Sequence, residues 1–181
     1  NMSGADKSHW IFLLPHVLGP DATCLPEPVR EPFLMAMRML CEELPQRQIS
    51  AVIPCVNAAR RSQVGALLPQ FADLSIKLID SDARAALIAA DAALIKSGTS
   101  TLEAMLLGRP MVVSYKLGAL SYAIASRLVS TPYIALPNIL AGTELVPELI
   151  QDAATPAALA QALLSQLDEK TIASDRAPSP K

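Results

Sequence analysis

Short, continuously apolar runs recur along the chain at intervals of roughly twenty residues, and segments with helical periodicity separate them. Six of these runs are predicted to be strands: Trp10–Pro15, Ile49–Val56, Ser75–Asp80, Ala92–Ser97, Met111–Lys116 and Tyr133–Asn138. Continuous rather than alternating hydrophobicity is typical of strands that are covered on both faces. The alternation of strand and helix therefore predicts an α/β fold: a parallel sheet of about six strands with helices on both faces.

The helical segments have identifiable ends. Pro32 suits the first turn of a helix that Pro45 stops, Asp82 is a good N-cap, and Gly108 suits the position just after a helix. The predicted helices are Pro32–Leu44, Ala58–Leu68, a short segment after Asp82, Thr99–Leu107, Ala119–Val129 and Pro156–Leu167. We expect one domain over residues 9–167, a flexible start with a tag remnant at residues 1–8, and a flexible tail at residues 168–181.

Composition excludes several functional classes. With 51% hydrophobic residues the chain is not a disordered one, and a net charge of −2 gives no electrostatic footprint for nucleic acid. The sequence contains no run of about 18 apolar residues, which is the length that a helix needs to span a bilayer. The motifs GxGxxG and GxxxxGK[ST] are absent, which disfavours dinucleotide enzymes and P-loop NTPases.

The cysteines and histidines give no metal site. Cys24, Cys41 and Cys55 form no CxxC pair, and His9 and His16 have no ligand cluster near them in sequence. We expect neither a structural zinc nor a disulfide framework, and the cysteine usage fits a reducing cytosol.

The residues Ser97-Gly98-Thr99 follow the fourth predicted strand and precede a helix. Such a turn directs backbone N–H groups and hydroxyls toward one point, which favours an anion or a phosphate. Glu103, one turn further, could accept hydrogen bonds from the hydroxyls of a ribose. The alternative is structural: Ser97 or Thr99 caps the helix and Glu103 supports its first turn.

A second polar segment, PNILAGTELVPELIQ, occupies residues 137–151. Asn138 and Gly142 suit a turn, and Pro147 is predicted to open a short helix that carries Glu148 and Gln151. By itself the segment also fits a plain connector followed by a capped helix.

Taken together, two stretches resemble the lipid-A-disaccharide synthase family. They are SGTSTLEAMLLGRPMVVSYKL at residues 97–117 and TPYIALPNILAGTELVPELIQ at residues 131–151, and the resemblance extends over about Gln48–Leu167. It implies a GT-B glycosyltransferase with two Rossmann-like domains, of which this chain is the C-terminal, donor-binding half. The N-terminal acceptor-side domain, with the expected catalytic base, is then missing from the chain.

The resemblance also implies partners and residue roles. The ligand is UDP or UDP-2,3-diacylglucosamine, no metal or other cofactor is needed, and the enzyme is cytoplasmic, with peripheral contact to the inner membrane. The implied substrate-binding residues are Asn57, Ser97, Gly98, Thr99, Glu103, Tyr115, Lys116, Asn138, Ala141, Gly142, Glu144, Glu148 and Gln151. Among these, Ser97, Gly98 and Thr99 would meet the diphosphate, and Glu103 the ribose.

One departure from the family pattern concerns the loop after the first strand. The resemblance leads us to expect a Gly-Ser-Arg turn there, but Pro15 is followed by His16, and a neutral imidazole does not replace an arginine on a diphosphate. Two rival functions stay open. The first is a shortened, non-catalytic binding module. The second is another GT-B relative such as a UDP-N-acetylglucosamine epimerase or the lipid II glycosyltransferase, although the stretch PNxxAGxxxVPExxQ argues against both. The apolar segment 117–129 is predicted to pack on the sheet, with a membrane surface as the alternative.

Overall fold

The computed structural model describes residues 8–14, 30–80, 82–115 and 132–176. Its centre is one sheet of six parallel strands in the order β3-β2-β1-β4-β5-β6. The strands are β1 His9–Leu14, β2 Ile49–Pro54, β3 Ser75–Ile79, β4 Ala92–Lys96, β5 Met111–Tyr115 and β6 Glu148–Ile150. The α/β class and the six-stranded parallel sheet are confirmed.

Helices cover both faces of this sheet, as predicted. In chain order they are α1 Arg30–Glu43, α2 Ala58–Gly65, α3 Ala83–Ala89, α4 Ser100–Leu106, α5 Leu136–Ala141 and α6 Pro156–Arg176, with 3-10 turns at Leu68–Phe71 and Gln151–Ala153. Ile11 and Leu94 pack on one face, together with side chains of α1 and α6. Phe12 and Ile95 pack on the other face against α3 and α4. Burial on both faces explains why the strands are continuously apolar.

Several helix ends follow the predicted signals. The Asp82 carboxylate accepts a hydrogen bond from Ala85 N at 3.0 Å, which caps α3. Gly108 has φ 61°, the left-handed conformation expected of a residue just after a helix. The second helix ends at Gly65 rather than at Leu68, because Pro69 lies in a separate 3-10 turn.

The last helix is longer than predicted. It extends through residues 168–176, the described part of the segment that the sequence predicts to be a flexible tail. Those residues contain no glycine or proline, so nothing in the local sequence stops the helix before Pro178. Residues 1–7 and 177–181 lie outside the described residues, and so does the predicted helix Ala119–Val129.

The sixth predicted strand is wrong. The segment Tyr133–Asn138 enters α5, with Pro137 in the first turn of that helix. The N–H groups of Ile134 and Ala135 donate to the Glu148 carboxylate rather than to a neighbouring strand. The sixth strand comes ten residues later, at Glu148–Ile150, in parallel register with Val113–Tyr115. The helix predicted to open at Pro147 is therefore wrong as well.

Candidate functional site

The strand order places a topological switch between β1 and β4. These strands are hydrogen-bonded neighbours, and the helices that follow them, α1 and α4, lie on opposite faces of the sheet. In a parallel sheet with this reversal, a crevice forms outside the carboxyl ends of the two strands, and it is the usual ligand site. The residues that follow β4 are therefore the centre of the candidate site.

The turn after β4 has backbone groups free for a ligand. The Gly98 carbonyl accepts hydrogen bonds from Thr101 N at 3.1 Å and from Thr101 Oγ1 at 2.6 Å. Within the four described ranges, the N–H groups of Gly98, Thr99 and Ser100 have no acceptor. Unpaired N–H groups in a row at a strand end are suited to an anion.

The structural alternative for this turn is wrong for the two hydroxyls, while Glu103 does lie in the first turn of α4 as that alternative requires. Thr99 is the N-cap residue of α4, but its hydroxyl makes no capping hydrogen bond. The Ser97 hydroxyl instead donates to Ile134 O at 2.9 Å. Glu103 is exposed, and its carboxylate has no hydrogen bond or ion pair within the described part of the chain.

Gly98 is a glycine that the fold itself does not require. Its φ lies outside the left-handed region, and among the described residues an added Cβ would meet only Lys96 O, at 4.0 Å. Glycine loses more conformational freedom on folding than any other residue. Within the described residues, an alanine could therefore replace Gly98 at no steric cost.

The turn after β4 contacts the chain that precedes the second polar segment. The hydrogen bond from Ser97 Oγ to Ile134 O joins the turn after β4 to the chain that enters α5. Helix α5 then contacts α4. The turn after β4 and the chain that enters α5 are therefore neighbours in the structure.

Asn138 and Glu148 form a closed internal network, which we call the Asn–Glu clamp. Asn138 is fully buried; its Nδ2 donates to Val146 O at 2.8 Å and to Glu148 Oε1 at 2.7 Å, and its Oδ1 accepts from the backbone N–H groups of Leu145 and Val146. The Glu148 carboxylate also accepts from Ile134 N at 2.8 Å and from Ala135 N at 2.9 Å. Both side chains therefore bond the protein, and they fix the chain on either side of α5.

The other predicted residues occupy different surroundings. Ala141, Gly142 and Glu144 are exposed at the end of α5, where Gly142 has φ 67°. Gln151 follows β6 with a φ of 53°. Asn57 is exposed after β2, and its Oδ1 accepts from Arg60 N at 2.9 Å, so that it caps α2. Lys116 and His16 lie outside the described residues.

Lys96 is a candidate that the sequence reasoning missed. It is the last residue of β4, directly before Ser97, and only 8% of it is exposed. Its Nζ lies 4.9 Å from the centroid of the Tyr115 ring, and burial lowers the pKa of its ammonium to about 8. A lysine that ends an apolar strand next to the Ser-Gly-Thr turn was the available signal.

The described residues contain no group of three or more His, Cys, Asp or Glu side chains that could hold a metal ion. Nor do they include a helix whose length and apolar character would let it cross a membrane.

The parallel sheet with its switch point between β1 and β4, and helices on both faces, is a Rossmann-like α/β domain. By overall likeness, the structure is similar to E. coli ADP-heptose LPS heptosyltransferase II (TM-score 0.58, 14% identity, 90% of this chain and 47% of that chain). It is also similar to the UDP-GlcNAc 2-epimerase of Methanocaldococcus jannaschii (TM-score 0.54, 14% identity, 91% and 39%). At this identity the likeness concerns the fold.

Sequence comparison identifies the family. The model of lipid-A-disaccharide synthetase matches residues 28–178, and the chain belongs to that family. It is 43% identical over 171 residues to lipid-A-disaccharide synthase of Saccharophagus degradans, covering 94% of this chain and 42% of the relative. It is 54% identical over 131 residues to that of Pseudomonas entomophila, covering 72% and 34%. The chain thus spans about two fifths or less of the length of these relatives.

Proposed function

We propose that this chain is the donor-binding half of a glycosyltransferase of lipid A synthesis, and that its site takes the UDP part of UDP-2,3-diacylglucosamine. The full enzyme would transfer the diacylated sugar to a lipid-linked glucosamine 1-phosphate and release UDP. The names of the curated relatives support this reaction. One structural neighbour, the Methanocaldococcus jannaschii epimerase, was solved with UDP-GlcNAc and UDP.

The observation that carries the proposal is the turn Gly98–Ser100. Its N–H groups have no acceptor in the described ranges, it lies at the switch point, and Gly98 leaves its backbone open to a ligand. In our proposal the diphosphate binds these N–H groups, as anions do at other backbone turns. Glu103, exposed and without a partner in the described chain, would then accept hydrogen bonds from the ribose.

Within residues 137–151, some of the predicted residues would position the site and others would line it. The hydrogen bonds of the Asn–Glu clamp are made within the protein, so we propose that Asn138 and Glu148 position the site. Ala141, Gly142 and Glu144 are exposed and remain free to line the pocket. Asn57, Tyr115, Lys116 and Gln151 complete the proposed set. An acceptor-side domain would supply the catalytic base, so this chain alone would be inactive, and the enzyme would work at the cytoplasmic face of the inner membrane.

The first test is UDP binding by the Gly98→Ala variant, measured by calorimetry. Because the backbone at residue 98 suits alanine, the substitution should leave stability unchanged or raise it by up to about 1 kcal/mol. If the diphosphate lies on this turn, the added Cβ should weaken UDP binding by about tenfold or more, which corresponds to about 1.4 kcal/mol. Gly65→Ala is the matched control, since Gly65 also has room for a Cβ and lies on α2.

The second test concerns Glu103. Glu103→Gln removes the charge that strengthens hydrogen bonds to ribose hydroxyls, so we expect UDP binding to weaken by about 1–2 kcal/mol with little change in thermal stability. The variant should also lose the ability to distinguish UDP from 2′-deoxy-UDP. A wild-type chain that binds no UDP would refute the donor-site proposal and favour a non-catalytic interaction module.

A further inference from the structure

We propose that Lys96 is an anion-binding residue of the crevice, and that its ammonium contacts the diphosphate of the bound nucleotide. This inference rests on the donor site proposed above. It adds to that site a residue that favours UDP over ligands with less phosphate charge. Three observations support it: the place of Lys96 in the sheet, its burial, and the contacts it has.

The place of Lys96 is fixed by the strands around it. It ends β4 in parallel register with Ser114 of β5, and Ile95, the residue before it, is paired with Leu14 at the end of β1. The carboxyl end of β4 is one side of the switch point, and the N–H groups of the turn Gly98–Ser100 begin two residues later. Lys96 and that turn therefore belong to the same edge of the sheet.

The burial of Lys96 is unusual for its chemistry. Lysines are rarely buried unless they are paired, because removing an ammonium from water is costly. Lys96 is only 8% exposed, yet no carboxylate of the described residues forms an ion pair with it. The preceding strand residues, Leu94 and Ile95, are fully buried and apolar, so Lys96 is the first charged residue of this strand.

The contact that the structure gives Lys96 does not use its hydrogen-bond donors. The Tyr115 ring attracts the cation through its π face, with Nζ 4.9 Å from the ring centroid. An ammonium has three N–H donors, and a ring face does not satisfy them as oxygen acceptors do. Burial also lowers the pKa of Lys96 to about 8, because it disfavours the charged form of the ammonium. A bound diphosphate would supply both the negative charge and the acceptor oxygens.

The test compares three ligands that differ in phosphate charge: uridine, UMP and UDP. Their affinities for the 181-residue chain and for Lys96→Met are measured by calorimetry at pH 7. We expect Lys96→Met to weaken UDP binding by about ten- to a hundredfold, as for loss of a charge-assisted hydrogen bond, and to change uridine binding less than about twofold. Lys96→Arg keeps the charge and should retain most of the affinity for UDP.

The matched control is Lys77→Met, which removes the same charge from an exposed position on the edge strand β3 and should leave all three affinities unchanged. Lys96→Gln is the second charge-removing variant and should give the same loss of UDP affinity if Lys96→Met folds poorly. Normal UDP binding by both variants would overturn this inference and leave the donor site standing. An equal loss for uridine and UDP would indicate a structural role and overturn it too. Absence of UDP binding by the wild-type chain would overturn both proposals.

Discussion

Asn138→Ala should destabilise the protein more than any other single polar deletion in the candidate site. Asn138 has no exposed surface and makes four hydrogen bonds, one of them to the Glu148 carboxylate at 2.7 Å. A hydrogen bond to a charged group contributes about 1.5–3 kcal/mol and a neutral one about 0.5–1.5 kcal/mol. Because Leu145 is exposed, water can reach its N–H group after the substitution. One charged and two neutral hydrogen bonds then contribute about 2.5–6 kcal/mol, and we expect a loss near the middle of this range, about 4 kcal/mol, in the free energy of unfolding.

Urea unfolding followed by circular dichroism measures this loss, and thermal unfolding should show a decrease of roughly 10 °C in Tm for a chain of this size. The control is Asn57→Ala, since Asn57 is exposed and makes one capping hydrogen bond, to Arg60 N; its loss should cost about 1 kcal/mol. If Asn138→Ala costs no more than Asn57→Ala, the Asn–Glu clamp does not hold the structure. A double-mutant cycle with Glu148→Gln should reveal coupling, because the two side chains share a hydrogen bond.

Two further predictions concern Lys96 and Gly142. Lys96→Met should raise Tm at pH 7, and the Tm difference from wild type should shrink between about pH 8 and 10.5. In this range the folded wild type has lost the Lys96 proton while the unfolded chain keeps it, so rising pH stabilises the wild type. An equal Tm difference across the range would contradict the lowered pKa of Lys96. Gly142→Ala should lower the free energy of unfolding by about 1–2 kcal/mol, because φ is 67° at this residue, although an added Cβ would meet no atom of the described residues. Gly65→Ala, at an ordinary φ, should not lower it, and equal effects of the two substitutions would refute the argument from φ.

Most of the sheet could be predicted because a buried parallel strand leaves a direct trace in the sequence. Residues 92–95 of β4 are small or apolar without interruption, since helices cover both faces of that strand. The helix limits at Asp82 and Gly108 were equally readable, because capping and a left-handed φ each require particular residue types. These signals are local, so they can be recognised without knowledge of the tertiary structure.

The sixth strand could not be predicted because its evidence is not local. Tyr133–Asn138 has the composition of a strand, but the N–H groups of Ile134 and Ala135 are bonded to a carboxylate 13 or 14 residues further on. The true strand has only three residues, follows a proline and begins with Glu148. Such a segment carries no period that identifies it, and only its pairing with β5 makes it a strand.

Lys96 shows the same limit at the level of the site. In sequence, a lysine at the end of a strand resembles an ordinary solvated residue, since lysine side chains usually extend to water. Its 8% exposure results from the tertiary structure around the end of β4, which no pattern within the strand predicts. The Ser-Gly-Thr turn was found because strand, turn and helix follow one another directly, whereas a buried cation requires neighbours from elsewhere.

The Asn–Glu clamp changes how the motif at residues 137–151 should be understood. A polar residue in a motif shared with a family of enzymes is readily interpreted as a ligand contact. Asn138 and Glu148, however, already bond one another and the backbone at Ile134, Ala135, Leu145 and Val146. The clamp fixes the start of α5 beside the Ser97 hydroxyl, which bonds the same stretch of chain. The precise placement of the turn after β4, on which anion binding would depend, therefore relies on side chains that need not touch the ligand.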